Sequence, residues 1–342
     1  MPRKALVTAR FAKDALAELG KHLEVRYESW FDRHYVLSEE ELLERVRREG
    51  YDVLIVELER VSAEVLDGSD LSIVSICRND PSKNIDLAKA TERGVLVTYT
   101  PGRNANAVAE LTVALMLAVL RKVVRADRRL RGGFTVSSFE DFVALRSELE
   151  GSELSGKTVG IVGLGKIGSR VAELLAGFNV RLLAYDPYVD SAKAEKLGVR
   201  LVSLEELLRE SDIITLHVPP TPETVNLIGK REIDLMKPTA ILLNLANPVV
   251  VDEDALYEAL AQGRIAGAGL DVFTEEPVDS SNRFLKLDNV VVTPHIGGNT
   301  LETVHRQSWM VVEDLTLALK GEKPRRLLNP EVWERWRKRF SW

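Results

Sequence analysis

The segment TVGIVGLGKIGSRVAELL, residues 158–175, restricts the possible folds of this chain more than any other stretch. An apolar run ends at Gly163, two further glycines follow at Gly165 and Gly168, and the apolar spacing then lengthens to that of a helix. This pattern reads as a strand, a tight turn and a helix folded back on the strand, a unit that belongs in a parallel sheet covered by helices. Gly163 makes the turn, Gly165 lets a ligand approach the backbone, and Gly168 lets helix and strand close on each other. The exposed N–H groups and the helix dipole favour phosphate, so a dinucleotide is expected on the turn. The next apolar run ends in YDPY, which places Asp186 roughly 20 residues on, where an acid would meet the ribose. A carboxylate there accepts from a 2′-hydroxyl and repels a 2′-phosphate, which points to NAD as the cofactor rather than NADP.

The same alternation runs through the chain. Strands are expected at KALVTA, DVLIVE, LSIVSIC and GVLVTYT, with SEEELLERVRREG the clearest helix among them. After a long helix beginning near Asn104, a second series of seven strands starts at Lys157, and a last long helix, Thr300 to Lys320, has no strand after it. The fold class that follows is α/β, with two doubly wound parallel-sheet domains. The last helix is expected to cross back and cover the first domain.

Bulk properties narrow the function. A net charge of −6 gives no field to attract nucleic acid, and no nucleic-acid partner is expected. The most apolar stretch, Ala107 to Leu120, contains Glu110 and is too short for a membrane span, so no membrane association is expected. The opening MPRKALVTAR lacks the apolar core of a signal peptide, and the single cysteine, Cys77, excludes an internal disulfide; a cytoplasmic location is expected. The five histidines form no close pair, so no metal site is expected.

A dinucleotide on this turn lays its nicotinamide across the carboxyl ends of the later strands. Those ends carry His217, Asn247, Asp271, Glu275, Glu276 and His295. His217, beside Val218 and two prolines, reads as a satisfied structural group, and Glu275 as a solvated one. His295 sits between a proline and IGG on a compact turn, where a carboxylate could favour its charged form for acid–base work.

With these residues in place, the chain resembles the D-isomer-specific 2-hydroxyacid dehydrogenases, which include D-lactate, glycerate and phosphoglycerate dehydrogenases. The likeness is carried by NIDLAKATERG, TPGRNANAVAEL, GKTVGIVGLGKIG, HVPPTPETVNLIG, VVDEDALYEAL, GAGLDVFTEEP and NVVVTPHIGG, and it extends to about Asn329. It implies a flavodoxin-like substrate domain, residues 1–101 and 296–330, with an inserted Rossmann NAD-binding domain, residues 102–295. It also implies a homodimer formed through the region of Ala105 to Arg131, and a small 2-hydroxy or 2-oxo acid as substrate. The family's acid–base histidine falls on His295 and its paired glutamate on Glu276. Cofactor contacts fall on Gly163, Gly165, Lys166, Ile167, Gly168, Asp186, Val218, Leu245, Ala246, Asp271, Gly297 and Gly298.

The chain departs from the family at two places. LLNLANPVVVDEDAL, set against the usual INTARGPVVDEDAL, puts Asn247 where the substrate-clamping arginine stands and Pro248 where a glycine stands. A guanidinium grips a carboxylate with two charge-assisted bonds, whereas a primary amide offers a short neutral donor. The loop before NID, usually glycine-rich, is here CRNDPSK, so Arg78 or Lys83 is a candidate to restore the lost positive charge, with Arg103 a weaker one. The expectation is an NAD-dependent oxidoreductase with an altered clamp. The alternative is an NAD(H)-binding sensor or assembly protein with little activity. The tail, residues 331–342, places Trp333, Trp336 and Phe340 at helical spacing and is expected to dock as an amphipathic helix.

Overall fold

Five short strands, β1 (Lys4–Val7), β2 (Glu24–Tyr27), β3 (Val53–Val56), β4 (Ile73–Ile76) and β5 (Leu96–Tyr99), pair in parallel in the order β2-β1-β3-β4-β5. This is the flavodoxin-like order. The computed structural model describes residues 3–339 of the 342. Four of these strands were expected, and β2 was not. Its sequence, EVRY, is an edge strand with a charged residue at alternate positions, and it becomes a strand by pairing with β1 from Lys4↔Glu24 to Val7↔Tyr27. β3 and β4 are buried at every position, as strands covered on both faces must be.

Seven more strands form the second sheet: β6 (Thr158–Val162), β7 (Arg181–Tyr185), β8 (Val199–Leu201), β9 (Ile213–Leu216), β10 (Ile241–Asn244), β11 (Gly267–Leu270) and β12 (Val290–Val292). They are parallel in the order β12-β11-β10-β9-β6-β7-β8, so the order in which strands are added reverses between β6 and β9. In open α/β sheets ligands bind beyond the carboxyl ends of the strands at such a switch point.

The chain separates into two compact units, one running to Arg103 and resuming at Asn299, the other spanning Asn104–Gly298. Each sheet carries an apolar core on both faces. In the second unit, Ile214, Leu216, Leu242 and Phe284 pack on one face, and Val159, Ile161, Ile213 and Leu243 on the other with Val108 and Met116. The helix SEEELLERVRREG contains forms as its signals dictate. Ser38 and Glu41 make a capping box, Arg47 and Arg48 lie in the last turn, and Gly50 closes it in the left-handed region at φ +66°.

The last long helix, Leu301–Leu319, is capped by Thr300 and packs in the first unit against the helix Lys13–Leu19. Beyond it the chain covers the exposed edge of β5. Leu328 N–H donates to the Val97 carbonyl at 2.9 Å, and the fully buried Asn329 accepts from Val97 N–H and donates to Val95 O, each at 2.9 Å. The tail helix Trp333–Arg339 then docks in this first unit, so it is part of that core. Trp336 is 0% exposed, stacks on Trp333 at 5.6 Å and donates to Ser72 O at 2.8 Å. Phe340, the third aromatic of the expected stripe, lies outside the described residues. Trp336→Ala is expected to cost about 3–5 kcal/mol in denaturant unfolding, with NAD⁺ affinity unchanged.

Candidate active site

The glycine turn follows β6 and faces the switch point. Gly163 has φ +92°, and a Cβ there would lie 2.7 Å from the His217 carbonyl oxygen and 2.8 Å from Val218 Cγ1. A Cβ on Gly168 would overlap the Gly163 carbonyl oxygen, whereas one on Gly165 would meet nothing within 4 Å. Packing therefore demands two of the glycines, and the third fronts open space. Gly165 caps the helix Lys166–Leu175 without any side-chain acceptor, which leaves its first-turn N–H groups for a ligand. Lys166 opens that helix, and Ile167 is half-buried against the core.

Asp186, just past β7, accepts from Leu164 N–H at 2.8 Å on one oxygen and from Tyr188 N–H at 2.9 Å on the other. Each carboxylate oxygen keeps a lone pair for a ribose hydroxyl. Lys193 Nζ donates to Leu164 O at 2.7 Å and braces the turn from outside. No sequence signal marked that lysine, because its place depends on how the helix Ser191–Lys196 lies against the turn. Open backbone at Gly165, a capless helix start and an oriented acid fit the diphosphate and ribose of NAD.

His217 follows β9, and its backbone N–H donates to Val162 O at 2.7 Å. The residue is 9% exposed, and burial pushes the pKa of its ring down to about 3. Its Nε2 shares a hydrogen bond with Thr215 Oγ1 at 2.9 Å, but Nδ1 is buried without a partner. The expected satisfied structural histidine is thus satisfied at one nitrogen only. Folding holds this ring neutral, so stability is intact above the ordinary value of 6.5. As pH falls from about 6.5 toward about 3, only the unfolded chain takes up this proton, and stability is lost. At about 1.4 kcal/mol per pH unit the loss is of the order of several kcal/mol. Urea unfolding across pH 7 to 4 checks this: His217→Gln is expected to show the shallower decline.

At the end of β10, the buried Asn244 organises the departing chain. Its Oδ1 accepts from Ala246 N–H at 3.1 Å, and its Nδ2 donates to Asn247 O at 3.0 Å. Leu245 is buried, while Ala246 and Asn247 are half-buried. Asn247 Oδ1 accepts from Val249 N–H at 3.2 Å and caps the short helical turn Pro248–Val250. The acceptor end of the amide is thereby committed to the backbone, which fixes the orientation of its NH₂ end.

The turn after β12 carries His295 at φ +54°, in a region that few residues other than glycine occupy. Asp271, 1% exposed at the end of β11, holds that turn. It accepts from Thr293 Oγ1 at 2.6 Å and from Ile296 and Gly297 N–H at 2.8 Å each. A Cβ on Gly297 would lie 2.8 Å from that carboxylate, and one on Gly298 2.8 Å from Asn104 Nδ2. His295 Nδ1 meets Glu276 Oε2 at 2.8 Å, and Glu276 Oε1 accepts from Phe273 N–H at 3.0 Å. The pair lines a cavity of about 280 Å³ with Phe273, Pro277, Val278 and Pro294. Glu275 is exposed beside it. With Nδ1 bound to the carboxylate, Nε2 is the nitrogen left for proton exchange.

The first unit holds the candidate cations. Arg103 is committed to a buried cluster, donating to Glu57 Oε1 at 3.0 Å and to Gln307 Oε1. Arg78 Nε donates to the Glu57 carbonyl at 2.9 Å, while Lys83 is exposed. Sequence reasoning passed over Glu57, whose carboxylate also accepts from Trp30 Nε1 at 3.1 Å. Glu59, 1% exposed, accompanies it at the end of β3.

Among the described residues, no group of three or more His, Cys, Asp or Glu is placed to hold a metal, and no helix is long and apolar enough to cross a membrane. A family model described as D-isomer specific 2-hydroxyacid dehydrogenase, NAD binding domain, matches residues 113–297. The chain is 39% identical over 329 residues to the D-3-phosphoglycerate dehydrogenase of Archaeoglobus fulgidus, covering 95% of this chain and 59% of that one. It is 39% identical over 333 residues to the glyoxylate reductase of Korarchaeum cryptofilum, covering 97% of each. Among solved structures, the TT0316 protein from Thermus thermophilus superposes with a TM-score of 0.82 at 37% identity, over 95% of this chain and 99% of that one. The second unit is an NAD-binding domain, and the chain belongs to the D-isomer-specific 2-hydroxyacid dehydrogenase family.

Proposed function

We propose that this protein transfers a hydride between NAD and a small 2-hydroxy or 2-oxo acid, with His295 as the acid–base group. The observation that carries this reading is the 2.8 Å contact between His295 Nδ1 and Glu276, on a turn that Asp271 pins by three hydrogen bonds. Bound NADH supplies the hydride. His295 donates its Nε2 proton to the carbonyl oxygen as that oxygen gains charge, and in the reverse direction takes the proton from the alcohol. Glu276 holds Nδ1 and orients the ring, because its second oxygen is fixed by Phe273 N–H.

The residues proposed to hold the cofactor are Gly163, Gly165, Lys166, Ile167 and Gly168 at the diphosphate, Asp186 at the adenosine ribose, and Val218, Leu245 and Ala246 along the strand ends. Gly297, Gly298 and Asp271 complete the set, Asp271 by shaping the turn. Asn247 offers its NH₂ group to the substrate, at the position that the resemblance gives to the clamping arginine. Arg78 and Lys83 are proposed to supply the positive charge that the acid's carboxylate still needs.

A homodimer is part of the proposal. Val123, Leu130, Phe139, Phe142 and Val143 are exposed on neighbouring helices of the second unit, and burial in a second copy would remove this apolar surface from water. Cys77 is buried and unpaired, which suits a cytoplasmic protein.

NADH oxidation with a panel of 2-oxo acids, including glyoxylate and hydroxypyruvate, tests the reading. At least one acid is expected to be reduced. Arg78→Ala or Lys83→Ala should raise KM for it about tenfold or more, the loss of one charge-assisted bond. Equal rates in both variants would remove the two cations from the clamp, and no reduction of any acid would overturn the function. Sedimentation of the same samples should give twice the 38.2 kDa of the chain.

A further inference from the structure

Of the strand-end groups in the second unit that the proposed chemistry leaves unused, Glu275 is exposed whereas His217 is buried in unusual surroundings. β6 and β9 are paired neighbours with Val162 opposite Leu216, so the glycine turn and His217 leave the sheet side by side. The absent Cβ of Gly163 would sit 2.7 Å from the His217 carbonyl, which brings the turn directly onto this residue. Side chains alternate along a strand, so the ring lies on the same face as Ile213 and Thr215, and its bond to Thr215 Oγ1 agrees with that. Ile213 belongs to the core shared with Val108 of the helix Ala105–Leu120 and Val171 of the helix Lys166–Leu175. The ring is therefore on the side of the sheet where the helix Lys166–Leu175 presents its uncapped N–H groups.

Buried polar atoms in folded proteins nearly always have a partner, and leaving one without is costly. Nε2 has the Thr215 hydroxyl, which can donate to it. A neutral ring so engaged carries its single proton on Nδ1, the nitrogen that has no protein partner. A neutral N–H donor beside an anion-binding helix start, next to a turn with open space at Gly165, is suited to a phosphate oxygen.

We propose that His217 is a dinucleotide-binding residue, its Nδ1–H donating to the diphosphate of NAD directly or through one ordered water. The bond completes the ring's hydrogen bonding only when the cofactor is in place, so binding and the order of the β9 end are coupled. The inference rests on the NAD site alone and is independent of which acid is reduced.

Calorimetry with NAD⁺, ADP-ribose and adenosine tests it. His217→Gln can keep the contact to Thr215 but loses a donor at the Nδ1 position, whereas His217→Asn places an amide near that position. The Gln variant is expected to bind NAD⁺ and ADP-ribose at least about tenfold more weakly with adenosine unchanged, and the Asn variant to recover most of the loss. Unchanged NAD⁺ affinity in the Gln variant would overturn the proposal, as would an equal loss for adenosine, which lacks phosphate. Should the variants fold poorly, ¹⁵N-histidine spectra of the unaltered protein decide. The His217 Nδ1 resonance is expected to move with ADP-ribose and not with adenosine, and no movement with ADP-ribose would overturn the inference. Activity on any 2-oxo acid leaves this result untouched, so its failure and that of the proposed reaction are separable.

Discussion

His295→Asn is expected to lower kcat for the best 2-oxo acid by about 10²–10⁴-fold, the usual contribution of a positioned proton donor. The ring is exposed, so the substitution removes little packing, and the turn beneath it is held by Asp271 rather than by the imidazole. NADH affinity is therefore expected to stay within about twofold, since the diphosphate turn is built from other residues. Glu276→Gln should fall between the unaltered protein and the Asn variant, because a glutamine oxygen can still accept from Nδ1 but as a neutral, weaker acceptor. Stopped-flow reduction with NADH, together with cofactor titration, separates these effects. A kcat within threefold of the unaltered protein in the Asn variant would remove His295 from the chemistry.

A comparably large effect is expected at the glycine turn, and there two neighbouring glycines should fail for different reasons. Gly168→Ala puts a methyl group into the Gly163 carbonyl, so helix and strand must separate. Overpacking of this kind costs about 1–3 kcal/mol, and the displaced turn should lose NAD⁺ affinity by about 100-fold. Gly165→Ala is different: its φ of −69° suits alanine, and its methyl group meets no protein atom within 4 Å. Unfolding stability should hold while NAD⁺ binding is lost, because the methyl group occupies the space of the diphosphate. Melting temperature and calorimetric affinity measured on both variants check the contrast. Equal stability loss in the two, or unimpaired NAD⁺ binding by Gly165→Ala, would show that the diphosphate lies elsewhere.

The features that could be read before the fold was known are those whose causes are local. Ser38 and Glu41 cap a helix within one turn, Gly163 bends a chain at its own φ, and Asp186 lies at a spacing set by one strand–helix–strand unit. The His295–Glu276 pairing was also legible, since the resemblance places both residues on short segments that follow adjacent strands. β2 was missed because EVRY alternates charged residues as an exposed edge does, and only pairing with β1 makes it a strand. Glu57 and Glu59 were passed over because no local pattern marks them, but the fold buries both and engages Arg103, a candidate substrate cation, with Glu57.

The sequence by itself determined two parallel α/β units and the glycine turn that joins a strand to a helix in the second, because glycine geometry and hydrophobic period act over a few positions. Only the tertiary structure decided that Asp271 serves the His295 loop and that His217 keeps a nitrogen without a partner. Each depends on which polar atoms a buried neighbour satisfies. Such neighbours are brought together by strands far apart in the chain, and no local pattern encodes that pairing.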